Sequence, residues 1–221
     1  MSLPKRLRGF TLIEAVLVVS VISWISLSGF FLTNQILRRQ ALRGSAQQLV
    51  TAIREVQNNA STGLNLCPPP GNTTHTRPDG WYIQIIRQSN TYNIGYRCKD
   101  ASGAIIAAVS KTVKYNNGIE SRHIRHHILG AASSGCNSFA DYYLYVAPLG
   151  SGFYWLFGGA TPQTKAITSS TPVARFLIKL QVVGGSTKND TRVVEVKFSG
   201  SALEKPAVQG FGLCETFAEF S

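Results

Sequence analysis

Between Phe10 and Leu32 the chain reads FTLIEAVLVVSVISWISLSGFFL, a run of 23 residues whose single charge is Glu14. As a helix this run extends roughly 34 Å, and the hydrocarbon core of a bilayer is about 30 Å thick. The segment is therefore predicted to span a membrane as a helix. Lys5, Arg6 and Arg8 precede it, and Arg38, Arg39 and Arg43 follow it, so flanking charge orients it only weakly. The long C-terminal part and its cysteines place that part on the outer side. A cleaved secretory signal is the rival reading. Its apolar core would run about 7–15 residues and end at small residues of the A-x-A type, whereas here the chain continues TNQILRRQ.

A carboxylate within hydrocarbon costs about 2.5–3.5 kcal/mol at mid-depth on insertion scales, which makes an intramembrane acid a functional candidate. Glu14 lies four residues into the run, near the cytoplasmic face. It needs a partner, and a free α-amino group made by a cut just before Phe10 would supply one. The competing reading is an interfacial acid that snorkels to water.

The string Lys5-Arg6-Leu7-Arg8-Gly9-Phe10-Thr11-Leu12-Ile13-Glu14 resembles the type IV prepilin signal: a short basic leader, Gly, Phe, then Glu at the fifth residue of the mature chain. The resemblance covers about the first 25 residues. It implies cleavage between Gly9 and Phe10 by a prepilin peptidase, N-methylation of Phe10 by the same enzyme, and a role for Glu14 in assembly register. It also implies, as partners, other pilin or pseudopilin subunits and an inner-membrane assembly platform. The implied course is a single-pass cytoplasmic-membrane protein with its C-terminal domain outside, then an extracytoplasmic filament. Many major pilins carry a proline near the end of the spanning helix; this chain has Gly29, Phe30 and Phe31 there.

After Leu32 the pattern changes. Leu42, Ala46, Leu49, Ile53, Val56 and Ala60 recur at steps of three and four, one apolar stripe on a helix. The other faces are polar. The spacing predicts that the helix continues to about Ala60, where Gly63 and the run Pro68-Pro69-Pro70-Gly71 end it. Heptads with charged flanks are missing, so packing against a sheet is favoured over a coiled coil.

Beyond residue 71 the sequence reads as strands and turns. Trp81–Ile86 and Thr91–Tyr96 form a predicted hairpin around Gln88-Ser89-Asn90, and Ala104–Tyr115 is one strand or two. Tyr142–Ala147 with Phe153–Phe157, and Phe176–Val183 with Val193–Phe198, are two more hairpins. The expected fold class is α+β: a long N-terminal helix packed on an antiparallel β-sheet. The expected divisions are 1–9 leader, 10–32 spanning helix, 33–62 amphipathic helix and 63–221 extracytoplasmic domain. The order of elements over roughly residues 80–200 is also similar to the H-type minor subunits of type II secretion pseudopili and type IV pili.

Cys67, Cys98, Cys136 and Cys214 all follow the apolar run, and an even count in an exported domain suggests two disulfides. Four cysteines allow three connectivities. Cys67 and Cys98 bracket the first hairpin and make a plausible pair, leaving Cys136 with Cys214; buried free thiols are the alternative. No C-x-x-C pair suggests zinc.

The chain carries 22 Lys and Arg against 11 Asp and Glu, a net +11, and loses only three of those charges with residues 1–9. A basic exported part suits anionic partners as well as plain solubility. The densest cluster is Arg122, His123, Arg125, His126 and His127. A strand would align His123 with His127 and oppose His126. Three roles stand open for it: a basic strand guarding a sheet edge, an anion contact that includes DNA phosphate, and a metal site for which Glu120 is the one acid in reach. Aromatics at Tyr142, Tyr143, Tyr145, Phe153, Tyr154, Trp155 and Phe157 suit core packing better than base stacking. No nucleophile motif, phosphate loop or carboxylate pair appears, so neither catalysis nor a cofactor is expected. The function expected is a filament subunit, of the minor kind on the size of its exported domain and its four cysteines; the alternative is a minor pilin whose basic domain binds DNA or a surface.

Overall fold

A computed structural model describes residues 11–64, 66–67, 77–99, 102–103, 105–128, 141–148, 153–156, 171–185, 190–197 and 201–206. The chain divides into two compact units, residues 1–39 and 40–221. Gly9, Phe10, the Pro68–Gly71 run, Cys136, Cys214 and Phe157 lie outside the described residues.

One helix, α1 (Leu12–Ser61), runs from the first unit into the second. It passes through Gly29 without interruption, so the absent proline leaves regular helix in its place. Its C-terminus is closed by Gly63, which takes φ +65°. The Leu64 N–H donates to Asn59 O at 3.0 Å and the Gly63 N–H to Ala60 O at 3.3 Å. This pair of bonds with a left-handed glycine is a Schellman cap, and it satisfies carbonyls the helix end would otherwise orphan.

In the second unit the stripe read from the sequence is the buried side of α1. Leu42, Ala46, Leu49, Ile53, Val56 and Ala60 are all at most 1% exposed. They share one cluster with residues of both sheets, among them Ile83, Leu144, Ile178 and Val194.

Among the described residues nine strands follow: β1 (Arg77–Ile86), β2 (Thr91–Lys99), β3 (Ile105–Lys114), β4 (Ile119–Ile128), β5 (Asp141–Val146), β6 (Phe153–Leu156), β7 (Thr171–Val182), β8 (Thr191–Lys197) and β9 (Ala202–Pro206). All pair antiparallel. Hydrogen bonding follows the order β3-β2-β1-β5-β6-β7-β8-β9, with β4 joined to β7. The arrangement separates into two sheets, β3-β2-β1-β5 and β4-β7-β8-β9, where the sequence suggested one. Short β6 links them, since it pairs with β5 and meets Thr171 and Pro172 at the start of β7. The fold class is α+β, as expected.

Alternation along the strands explains the layering. Trp81, Ile83 and Ile85 of β1 enter the main core, as do Tyr142, Leu144 and Val146 of β5. Tyr82, Tyr143 and Tyr145 occupy the opposite face of the same sheet and cluster there. On that face four directly opposed side chains bond in series. The Thr112 hydroxyl donates to Asn93 Oδ1, Asn93 Nδ2 to Gln84 Oε1, and Gln84 Nε2 to the Tyr143 hydroxyl, each at 2.8 Å. The chain of bonds crosses β3, β2, β1 and β5 and holds them in register.

Candidate functional site

The feature least explained by packing within the chain is the first part of α1. Its apolar window passes the length and composition test for a membrane span and is unburied. Val16, Leu17, Val19, Ile22, Trp24 and Ile25 are among its exposed residues. Exposed apolar surface this continuous marks a membrane or interaction site.

Four hydroxyls in this stretch are already satisfied by the helix. The Ser20 hydroxyl donates to Leu17 O, Ser23 to Val19 O, Ser28 to Trp24 O and Thr33 to Gly29 O, each at 2.8 Å. Such back-bonding lets a hydroxyl enter an apolar medium without a water partner.

Glu14 sits in the first turn. Its N–H donates to Thr11 Oγ1 at 3.3 Å, and the Thr11 hydroxyl approaches Glu14 Oε2 at 3.5 Å. Thr11 and Glu14 thus stand three apart across the helix start, as in a capping box. A carboxylate there also faces the positive end of the helix dipole. Glu14 therefore helps start the helix in addition to any intermolecular task.

In the second unit Cys67 and Cys98 form a disulfide that spans 31 residues. It fastens the segment after α1 to the end of β2, beside the Pro78–Cys98 pair of β1 and β2.

The basic cluster forms the outer strand β4 of the second sheet. Register separates its members. His123 opposes Lys179, Arg125 opposes Leu177 and His127 opposes Arg175. His126 opposes Phe176. Arg122 falls within the irregular step between Ser121 and His123, and its guanidinium lies 3.3 Å from Glu120. Among the described residues no three of His, Cys, Asp and Glu converge as a metal site would require.

Two arrangements were invisible in the sequence. Arg97 is fully buried, lies 3.1 Å from Asp79 Oδ2, and has its guanidinium carbon 5.1 Å from the centre of the Tyr145 ring. The Tyr145 hydroxyl donates to Asp79 O. The second is a basic row shared by three strands, since β7 and β8 place Arg175 and Lys197 opposite one another beside His127. A chain-wide charge count cannot show this row; pairing assembles it.

Searches of family models, curated proteins and solved structures find no match to this chain. The chain has a long N-terminal helix, apolar and bare at first, that packs on antiparallel sheets from Leu42 onward.

Proposed function

We propose that this chain is a structural subunit, of the minor kind, in a type IV pilus-like or type II secretion pseudopilus filament. In this reading a prepilin peptidase cuts between Gly9 and Phe10 and methylates Phe10. The new subunit waits in the cytoplasmic membrane with residues 40–221 outside, and an assembly platform then moves it into the filament.

One observation carries the reading: the bare apolar part of α1 has a single acid, Glu14, in its first turn. Lipid covers such a surface before assembly, and helices of neighbouring subunits cover it afterwards. A carboxylate at its start has a natural partner in the ammonium group that the cut creates on a neighbouring Phe10. That pairing fixes axial register, because a shift along the helix would leave both charges unpaired in an apolar medium. The second unit contributes a packed, disulfide-fastened domain displayed outward, and its role is structural and not catalytic.

Intact-mass and N-terminal peptide mass spectrometry of the protein from cells with an active prepilin peptidase tests this directly. The expected mature chain begins at N-methylated Phe10. A chain that still begins at Met1 contradicts the proposal.

A further inference from the structure

From Ala15 to Arg54 the helix α1 has no acid, and its cations are all arginine: Arg38, Arg39, Arg43 and Arg54. Arg38 and Arg39 belong to the first unit, residues 1–39, and stand at its end. Both are exposed. Among the described residues neither is paired with a carboxylate. A face that serves only solubility mixes the two signs; this one carries a single sign at one level of the helix.

Helix geometry fixes where that level lies. The apolar stretch from Leu12 to Leu32 rises about 30 Å, the thickness of a hydrocarbon core. Arg38 and Arg39 follow Leu32 at about 9 and 10.5 Å beyond that core. Headgroups add about 5–8 Å on each side of a bilayer, so the two Cα atoms stand just above them. Side chains on a helix tilt toward its N-terminus, which is here the direction of the bilayer. The long apolar stems can lie along the helix while the guanidinium groups enter the headgroup layer. A guanidinium fork donates to two phosphate oxygens at once. Consecutive residues are about 100° apart around a helix, so the two arginines meet two different lipids.

We propose that Arg38 and Arg39 form an anionic-lipid site, each guanidinium binding the phosphate of one phospholipid headgroup where α1 leaves the bilayer. The inference rests on α1 spanning a membrane and holds for either orientation of the span. Two features favour lipid over other anions. The site continues directly from the bare apolar run. Ile36 and Leu37, also exposed, stand just before the arginines, and a membrane-surface reader sets apolar anchors beside its cations in this way. Departure of α1 from the bilayer must break both contacts, so the pair also retains the chain there.

The test uses the full chain carrying K5Q/R6Q/R8Q, which silences the cations at the other end of the run. In non-ionic detergent micelles it meets equimolar phosphatidylglycerol and phosphatidylcholine of matched acyl chains, and native mass spectrometry counts the lipids retained. Two basic residues near a membrane surface predict a preference of about 30-fold for phosphatidylglycerol. Adding R38Q/R39Q should cut that preference at least about tenfold, and R38K/R39K, which keeps the charge, should stay within about threefold of the parent. K99Q/K197Q removes the same charge from exposed lysines of the second unit and should change the preference less than about twofold. Circular dichroism checks folding. Resistance to alkaline carbonate in phosphatidylcholine vesicles checks the span separately. A chain that is extracted contradicts the span and this site with it; a chain that stays inserted yet shows no preference contradicts this site alone. Equal losses from R38Q/R39Q and K99Q/K197Q overturn the proposal. So does an R38Q/R39Q chain that keeps the lipid preference but is depleted from filaments, which would assign the pair to a neighbouring subunit.

Discussion

Arg97 is the residue on which the outer side of the first sheet depends. A guanidinium taken fully out of water must be compensated, and here Asp79 and the face of Tyr145 do so. Asp79→Ala leaves the cation without that carboxylate and should cost about 3–5 kcal/mol, read as a shift of the urea-unfolding midpoint at unchanged slope. Tyrosines nearby carry a second expectation. Burial, with Tyr143 adding to it, pushes the Tyr82 hydroxyl up to about 12. Burial raises Tyr92 and Tyr115 further, with Glu55 contributing at Tyr92 and Tyr92 at Tyr115. Their folded-state values lie above the unfolded value near 10, so the folded state holds its protons longer. Stability from these groups is complete below about pH 10 and falls as pH rises through the folded values. Unfolding midpoints measured from pH 8 to 11.5 should be flat at first and drop above about pH 10. Nothing in the sequence marks Arg97 as buried, because a lone arginine in a strand ordinarily points to water. Counting by twos also fails beside it: irregular steps at Pro78/Gly80 and Ile94/Gly95 shift the pairing. Gly95 lies opposite Tyr82, where a Cβ would overlap the ring and Ala108 O. That glycine is a requirement of packing.

At the scale of elements, helix α1 was legible because its two parts carry different signals. Unbroken apolarity marks the first, and steps of three and four mark the second, whose stripe is the buried one residue for residue. β1, β2, β5, β7 and β8 were legible from β-branched and aromatic runs bounded by turns. β9 was not: Ala-Leu-Glu-Lys-Pro has little strand character. It pairs because β8 offers an edge, and a proline is tolerated in an outermost strand. The split into two sheets was equally hidden, since it depends on β4 leaving its sequence neighbours to pair with β7. The Cys67–Cys98 link belongs to this scale. Closing a loop of 31 residues should contribute about 3–4 kcal/mol through the unfolded chain. Cys98→Ser, or reduction of the parent, should lower the unfolding midpoint accordingly in calorimetry.

Across the whole molecule, the two units differ in what they bury. The first is a bare apolar helix with four of its hydroxyls turned back on its own carbonyls. The second has a packed core of helix and sheets and a disulfide. A filament subunit combines these needs, since one part must change partners from lipid to protein while the other stays folded throughout. The sequence marked Glu14 as the anomaly; the structure adds that Thr11 and Glu14 also begin the helix. A helix-start role alone would tolerate Glu14→Gln, which keeps the capping geometry, whereas pairing with an ammonium group requires the charge. The most direct measurement is quantitative mass spectrometry of sheared filament and membrane fractions from cells expressing the parent, Glu14→Gln and Glu14→Ala. The parent should appear in filaments beginning at methylated Phe10, and both variants should be cut normally yet remain at least about tenfold depleted from filaments, the loss that one unpaired charge of about 1.4 kcal/mol or more produces. A parent chain confined to membranes and uncut, or variants recovered in filaments at the parent level, would contradict the account.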